Sequence, residues 1–146
     1  MINIRRNLFE TNSSSVHSLV IPKNQDIKIP RKRSLFYRDY GWEAGGTYDT
    51  LSYIYTACKD RGDEYVERFI EYLTDKGIEV TEYHSSNMFG IDHSDEVPLD
   101  DLFNNTELFD RLLFGVKSFI QTGNDNTDEC PDPNNYFDCD VLMKYN

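Results

Sequence analysis

The sequence lacks any apolar run that approaches the roughly 20 residues needed to cross a bilayer. It also lacks an N-terminal charged segment followed by an apolar run and a small-residue cleavage site. We therefore expect neither a secretory signal nor a membrane partner. A cytoplasmic location is the default interpretation.

Cysteine is scarce, with three residues and no C-x-x-C pair among them. An odd count without a secretion signal favours reduced thiols over a disulfide framework. Cys58 falls on the apolar face of a predicted helix, so we expect it to be a core residue. The spacing of Cys130 and Cys139 indicates neither a disulfide nor a metal site with any specificity.

Positive charge is also in short supply, because 15 Lys and Arg face 26 Asp and Glu, for a net charge of −11. Residues 1–40 carry a net charge of +5, and residues 41–146 carry −16. A chain this acidic repels nucleic acid overall, so direct DNA binding is not expected. Any such binding would have to use the basic residues 28–38. The RKR run within them, residues 31–33, is interpreted as a solvated turn.

Aromatic side chains are what the sequence has in quantity, with ten Tyr and nine Phe in 146 residues. Such side chains bury a large area each, which favours a folded chain over a disordered one. The length suits one domain spanning residues 1–146. An acidic Pro- and Asn-rich loop is predicted near residues 127–135.

The hydrophobic pattern predicts helices alternating with strands. Apolar residues at Val66, Phe69, Ile70 and Leu73 repeat at helical spacing, so residues 63–76 form the clearest helix. Further helices are predicted at residues 48–59, 99–103 and 106–114. Strands are predicted at residues 16–21, 27–29, 78–83, 116–121 and 136–145. We predict an α+β fold, a small and mainly antiparallel sheet flanked by two longer helices and one or two short ones.

The stretch ETNSSSVH, residues 10–17, separates two apolar runs and places no apolar side chain between Phe9 and Val16. It forms either a solvated turn between adjacent strands or the lining of a polar pocket. Ser15 and His17 would share one face of a strand, which suits a nucleophile and its base. The sequence lacks the G-x-S-x-G elbow that would make a serine nucleophile more specific.

Two later stretches, IDHSD at residues 91–95 and TGNDN at residues 122–126, bring oxygen and imidazole groups close together. Asp92, His93 and Asp95 are ligand types that hold a divalent ion and activate water. Residues 122–126 are equally typical of a turn after a strand, and they lack the spacing of a calcium loop.

The motifs ETNSSSVHS, GWE, LSYIYTA, IDHS and LLFGVKSFIQTGNDN together resemble a family of small uncharacterised proteins of phages and Gram-positive bacteria. The resemblance covers residues 5–126, and ETNSSSxH is its most specific part. The family pattern has Gln and Ser after IDH, whereas this chain has Ser94 and Asp95. That difference leaves position 94 without an assigned role. The resemblance implies an origin, a phage-type protein of the host cytoplasm, and no particular reaction.

The resemblance also implies that ETNSSSxH, GWE, IDH and GNDN act together in one pocket. The residues that would then serve acid–base catalysis are His17, Glu10, Glu43 and His93. Asp92 and Asp125 would hold a divalent metal ion, the one cofactor that these side chains suggest. The hydroxyls and amides that would orient a polar ligand, such as one carrying phosphate, belong to Asn12, Ser13, Ser14, Ser15 and Asn124.

Two functions of different classes remain open from the sequence. The first is an enzyme, a hydrolase or transferase acting on a nucleotide, a nucleic acid or another polar ligand. The second is a non-enzymatic accessory protein whose acidic surface imitates nucleic acid and blocks a host defence enzyme, such as a restriction or CRISPR nuclease. The enzyme requires the polar stretches to share one cavity, and the mimic requires an ordered acidic stripe.

Overall fold

Two sheets and four α-helices make up the part of the chain that the computed structural model describes, residues 15–40, 46–85, 89–124 and 137–144. The strands are β1 (Ser15–Pro22), β2 (Lys32–Phe36), β3 (Gly46–Tyr48), β4 (Glu79–Tyr83), β5 (Phe119–Asn124) and β6 (Cys139–Lys144). The helices are α1 (Thr50–Arg61), α2 (Asp63–Asp75), α3 (Leu99–Phe103) and α4 (Thr106–Phe114), with a 3₁₀ turn at Ser94–Glu96. None of these helices is long and apolar enough to span a bilayer.

The larger sheet has the strand order β3-β5-β1-β6, and all its pairings are antiparallel. Strand β1 is central, and Leu19 and Ile21 join the hydrophobic core while helix α4 packs against the strand. Val16 and Val20, which alternate with them, are buried too. Because both faces of β1 are covered, its sequence is almost continuously apolar apart from His17 and Ser18.

The smaller sheet pairs β2 with β4 in parallel, and the chain between them forms β3, α1 and α2. Parallel neighbours need such a long connection, because a tight turn only joins antiparallel strands. The interpretation of the RKR run as a solvated turn is therefore wrong, since Lys32 and Arg33 begin β2. Arg33 pairs with Asp49, so this basic segment is anchored by an ion pair as well as by the strand.

Capping residues fix the start of helix α1 and the end of helix α2. Asp49 accepts a hydrogen bond from the Leu51 amide and so caps α1, which begins two residues later than predicted. At the end of α2, the amides of Gly77 and Ile78 donate to the carbonyls of Thr74 and Leu73. This Schellman motif needs a left-handed residue at its turn, and Gly77 supplies it at φ 85°.

The core lies between the larger sheet and the helices. Helix α2 buries Val66, Phe69 and Leu73, as its periodicity predicts, and Cys58 of α1 is fully buried. Burial raises the pKa of the Cys58 thiol to about 12, so it stays protonated and unreactive. The α+β class, the helix over residues 63–76 and the core role of Cys58 are thereby confirmed.

Two predicted strands are placed differently by the structure. Residues 27–29 form no strand, because Ile27 makes only one isolated bridge, to Gly115. The strand predicted at residues 116–121 begins at Phe119 instead, since Gln25 holds the preceding turn through the Lys117 amide and the Ser118 hydroxyl. The acidic loop predicted at residues 127–135 lies outside the described residues.

Candidate functional site: a buried polar row across the sheet

A row of polar side chains crosses the larger sheet. His17 of β1 lies directly opposite Thr122 of β5 on one side and Lys144 of β6 on the other. Residues opposite one another in antiparallel strands project from the same face, so these three side chains are neighbours. All three are shielded from solvent, with exposed fractions of 0%, 1% and 0%. We call them the polar row.

Tyr53 of α1 fixes the orientation of the His17 ring. Its hydroxyl lies 2.5 Å from His17 Nδ1, and the two rings meet edge to face. Burial raises the pKa of Tyr53 well above its ordinary value, so the phenol keeps its proton. We assign that proton to the hydrogen bond with Nδ1, which places the imidazole proton on Nε2. His17 therefore presents an N–H group from Nε2.

The Nε2 atom of His17 is buried without a hydrogen-bond partner in the described part of the molecule. The hydroxyl of Tyr40, whose ring packs against Tyr53 at 5.1 Å, is in the same condition. An unsatisfied buried polar group costs roughly 1–3 kcal/mol, and native proteins hold few of them. Two such groups on either side of Tyr53 mark this region as chemically unusual.

Charge in the polar row is set by burial and by Lys144. Burial, helped by the positive charge of Lys144, lowers the pKa of His17 to about 3, so the imidazole is neutral at physiological pH. Burial lowers the pKa of Lys144 to about 8, although the carboxylates of Asp92, Glu96 and Asp95 oppose that shift. Lys144 therefore keeps most of its charge at pH 7 beside a neutral histidine.

The IDHS loop borders this row. Ile91 forms a parallel bridge with Tyr40, and the Tyr40 amide donates to the Gly90 carbonyl, which ties the loop to the chain beside Tyr53. The charge of Asp92 reaches Lys144. The His93 side chain is 49% exposed, and its Nε2 lies 3.7 Å from a carboxylate oxygen of Asp92.

Residues of or beside the remaining motifs lie near the same row. Ser15 pairs with Asn124, two residues along the strands beyond the pair formed by His17 and Thr122, so the described ends of ETNSSS and TGNDN are adjacent. Tyr40 and Gly46 bracket the GWE segment in the sequence. Tyr40 contacts Tyr53, and Gly46 pairs with Thr122. The structure thus brings the described ends of two motifs and the residues that flank the GWE segment, together with the IDHS loop, around His17.

Several predicted site residues lie outside the described residues, and their roles stay predictions. They are Glu10, Asn12, Ser13, Ser14, Glu43 and Asp125. Of the two predicted metal ligands, only Asp92 is described, beside His93. Within residues 15–40, 46–85, 89–124 and 137–144, no three His, Cys, Asp or Glu side chains are grouped in a way that could hold a metal ion.

Sequence reasoning missed Tyr40, Tyr53 and Lys144. Tyr53 lies in an apolar helix, where a tyrosine is ordinarily a packing residue. Lys144 ends the strand CDVLMK, and a lysine within an apolar strand was the one available signal. Thr122 belongs to the TGNDN motif, but only its register with His17 shows why it matters.

The chemistry that this arrangement supports is stabilisation of negative charge. An N–H donor fixed by Tyr53, a hydroxyl and an ammonium group share a dry site, where such groups interact far more strongly with an anion than in water. Comparison of the chain with models of protein families, with curated proteins and with solved structures gives no match. The functional conclusion therefore depends on the geometry of the site.

Proposed function

We propose that this protein is a small hydrolase or transferase acting on an anionic polar ligand, and that the polar row is its oxyanion-binding centre. The ligand classes are those predicted from the sequence, a nucleotide, a nucleic acid or another polar ligand. Membership of the phage-type family that the motifs resemble is part of the same proposal.

The observation that carries the proposal is the unpartnered Nε2 of His17. A buried histidine in a purely structural role ordinarily has both ring nitrogens satisfied, by the protein or by an ordered water. Here Tyr53 satisfies Nδ1 and fixes the ring, while Nε2 is left for a group that the described chain does not supply. The oxyanion that forms during acyl or phosphoryl transfer is such a group.

Two members of the polar row, His17 and Lys144, have separate parts in the proposed reaction. The Nε2–H of His17 donates to the developing oxyanion, and the Lys144 ammonium balances its charge. Water or an acceptor hydroxyl attacks, its proton passes to a carboxylate, the bond to the leaving group breaks, and the departing oxygen takes up that proton. The carboxylates predicted for catalysis are Glu10 and Glu43. Because the row is shielded from solvent, the ligand enters through an opening motion.

A paired assay of turnover and anion binding tests the proposal. Chromogenic phosphate monoesters, phosphate diesters and carboxylate esters serve as substrates, with and without divalent cations. Inorganic phosphate at millimolar concentration serves as the binding probe in thermal shift. We expect turnover of at least one ester class and a phosphate-induced rise in the melting temperature. His17→Gln should lower turnover by about 100-fold or more, the usual effect of removing one oxyanion donor.

Ser18→Ala is the matched control, because Ser18 is fully buried on the same strand but on the opposite face, with its hydroxyl on the sulfur of Met143. It should leave both readouts unchanged. Activity should also decline as the pH rises through about 8, where Lys144 loses its proton. A wild-type protein that phosphate does not stabilise, or equal turnover in wild type and His17→Gln, would refute the proposal.

A second function is favoured by one observation, an acidic stripe along α2. Four exposed carboxylates follow the outer face of this helix over a length on the order of 16 Å. They belong to Glu64, Glu67, Glu71 and Asp75. Such a stripe suits the basic groove of a nucleic-acid enzyme, which is the mimic expected from the sequence.

Nuclease inhibition at low and high salt tests this second function. Neutralising the stripe to the corresponding amides should abolish inhibition of a restriction or CRISPR nuclease, and added salt should weaken it in the wild type. The control neutralises four exposed carboxylates elsewhere, Asp26, Glu79, Asp101 and Glu107. Equal inhibition by both variants would exclude the stripe as the mimic.

A further inference from the structure

A groove of about 320 Å³ lies at one end of the smaller sheet. It is lined by Phe36, Tyr37, Arg38, Tyr83, His84 and Ser85. These are the last residues of β2 and β4 and the residues that follow them. In parallel units joined by helices, ligands bind at the carboxyl ends of the strands, and the groove has this position.

Aromatic rings form the floor of the groove. Phe36 and Tyr83, which are opposite one another in the register, stack with centroids 5.1 Å apart and planes 14° apart. Both remain accessible, with exposed fractions of 37% and 49%. Tyr37 and His84 form a second ring pair, at 4.5 Å. The result is a shelf of flat, partly exposed rings of the kind on which a planar group stacks.

Positive charge lies beside this shelf. The guanidinium of Arg38 is 5.0 Å from the centre of the Phe36 ring, and the side chain is exposed. Residues 28–38 contain five Lys and Arg and no acidic residue, in a chain whose net charge is −11. Of these cations, Arg38 lines the groove, Arg33 pairs with Asp49, and the others lie at or before the amino end of β2. Arg38 is therefore the cation among them that an anion in the groove would meet.

We propose that the groove is a binding site for a mononucleotide, whose base stacks on the face of Tyr83 that points away from Phe36 and whose phosphate pairs with Arg38. A volume of about 320 Å³ is at the lower end of the range for small-molecule sites. A nucleic-acid polymer is disfavoured, because it would extend beyond the groove over an acidic protein. The site is separate from the polar row and does not depend on the function proposed for it.

A stacked pair across two strands also stabilises a sheet, which is the plainer role for Phe36 and Tyr83. That role does not require a cation over the ring or a groove above it. The two features together favour a planar anionic ligand.

Binding of AMP to the full chain, followed by calorimetry and by NMR shift mapping, tests the proposal. Adenosine and ribose 5-phosphate are the two part-ligands, one without phosphate and the other without the base. AMP should bind more tightly than either and shift amide signals at residues 36–38 and 83–85. Tyr83→Ala should weaken AMP binding about fivefold or more. Arg38→Gln should weaken binding of AMP but not of adenosine.

Matched controls lie elsewhere on the surface. Phe137→Ala removes a ring that is 85% exposed, and Arg68→Gln removes a guanidinium that lies 4.3 Å from the Phe103 ring. Neither should change AMP binding. AMP that binds no better than ribose 5-phosphate, or that shifts signals at His17 and Lys144 instead, would overturn the proposal. If Tyr83→Ala does not fold, AMP binding by Arg38→Gln and the NMR shift map of the wild type still test the proposal.

The proposal for the polar row and the proposal for the groove can be refuted independently of each other. His17→Gln should leave AMP binding in the groove unchanged, and Arg38→Gln should leave the phosphate-induced thermal shift unchanged. Loss of AMP binding in His17→Gln would place the nucleotide at the polar row and refute the groove site.

Discussion

His17 and Lys144 face one another across neighbouring strands, and both have a lowered pKa for the same main reason, burial. The positive charge of Lys144 adds to the effect on His17. The pair therefore keeps one neutral ring and one cation side by side at physiological pH. Under the proposed function, this division of charge lets the row receive an anion without first taking up a proton.

Acid should destabilise the protein partly through His17. The pKa of His17 is about 3 in the folded state and near 6.5 in the unfolded state. The stability that depends on a neutral His17 ring is therefore fully present above pH 6.5 and is lost as the pH falls toward 3. Each pKa unit corresponds to about 1.4 kcal/mol. Lys144 is protonated in both states over this range and adds no slope.

Urea unfolding of wild type and His17→Gln across this pH range measures that contribution. The variant should lose less stability on acidification, because it has no buried imidazole to protonate. Ser18→Ala, on the other face of the same strand, should keep the wild-type slope. Parallel pH profiles for wild type and His17→Gln would contradict the buried neutral ring.

The hydrogen bond between Tyr53 and His17 should be worth more than a surface hydrogen bond. Tyr53→Phe leaves Nδ1 buried without a donor, at a cost of roughly 1–3 kcal/mol in the free energy of unfolding. Tyr65→Phe is the matched change, since the Tyr65 hydroxyl donates to the exposed Asp100. Chemical denaturation should show a clearly smaller loss for Tyr65→Phe. Equal losses would mean that the buried hydrogen bond of Tyr53 contributes no more to the free energy of unfolding than the hydrogen bond of Tyr65.

At the scale of elements, the turn at Gly90 holds the IDHS loop against Tyr40. Asp60 of α1 accepts hydrogen bonds from the Tyr37 hydroxyl at 2.6 Å and the Ile91 amide at 2.8 Å. Gly90 has φ 78°, and a Cβ added there would collide with the Asp60 carboxylate and the Tyr37 hydroxyl. The turn therefore requires glycine for its backbone angle and for space.

Gly90→Ala should consequently destabilise the protein more than Gly77→Ala. Both glycines have positive φ, but a Cβ at Gly77 meets nothing within 4 Å. Gly77→Ala should cost about 1 kcal/mol from backbone strain, and Gly90→Ala at least about 1 kcal/mol more from the collision. Denaturant midpoints at neutral pH measure both. A similar cost at the two positions would show that the collision is relieved without loss of packing.

The sequence predicts the helices of this fold better than its strands. Residues 99–103 and 106–114 form helices with the predicted bounds, and helix 63–76 differs by one residue at its end. These segments are encoded locally by their 3.6-residue period and their caps. The partners of β1 and β2 are distant in the chain, so no local pattern reveals that β2 lies parallel to β4.

The candidate site shows the same limit. His17 was predicted because it follows a distinctive polar motif. Tyr53 and Lys144 were not, because an aromatic residue in a helix and a lysine at a strand end are ordinary residues locally. Only the register of β1, β5 and β6, together with the packing of α1, brings them to His17.

At the scale of the whole molecule, the distribution of charge determines which anions the surface can bind. The net charge of −11 sets a repulsive field for any polyanion, while the cations of residues 28–38 attract a small anion at short range. We therefore expect no binding of duplex DNA at about 0.15 M salt. Fluorescence anisotropy with a labelled duplex checks this. Saturable binding that weakens steeply with salt would show that the basic segment overrides the net charge.

The central claim is that His17 is a neutral, buried ring whose Nδ1 accepts from Tyr53 and whose Nε2–H is reserved for an anion. The most direct measurement is a long-range ¹H–¹⁵N NMR spectrum of the histidine side chains, recorded from about pH 4 to about pH 8. The account predicts a His17 signal of the Nε2–H tautomer that does not titrate in this window, with a higher pKa in Lys144→Met. A His17 ring that protonates near its ordinary value of 6.5, or that carries its proton on Nδ1, would contradict it.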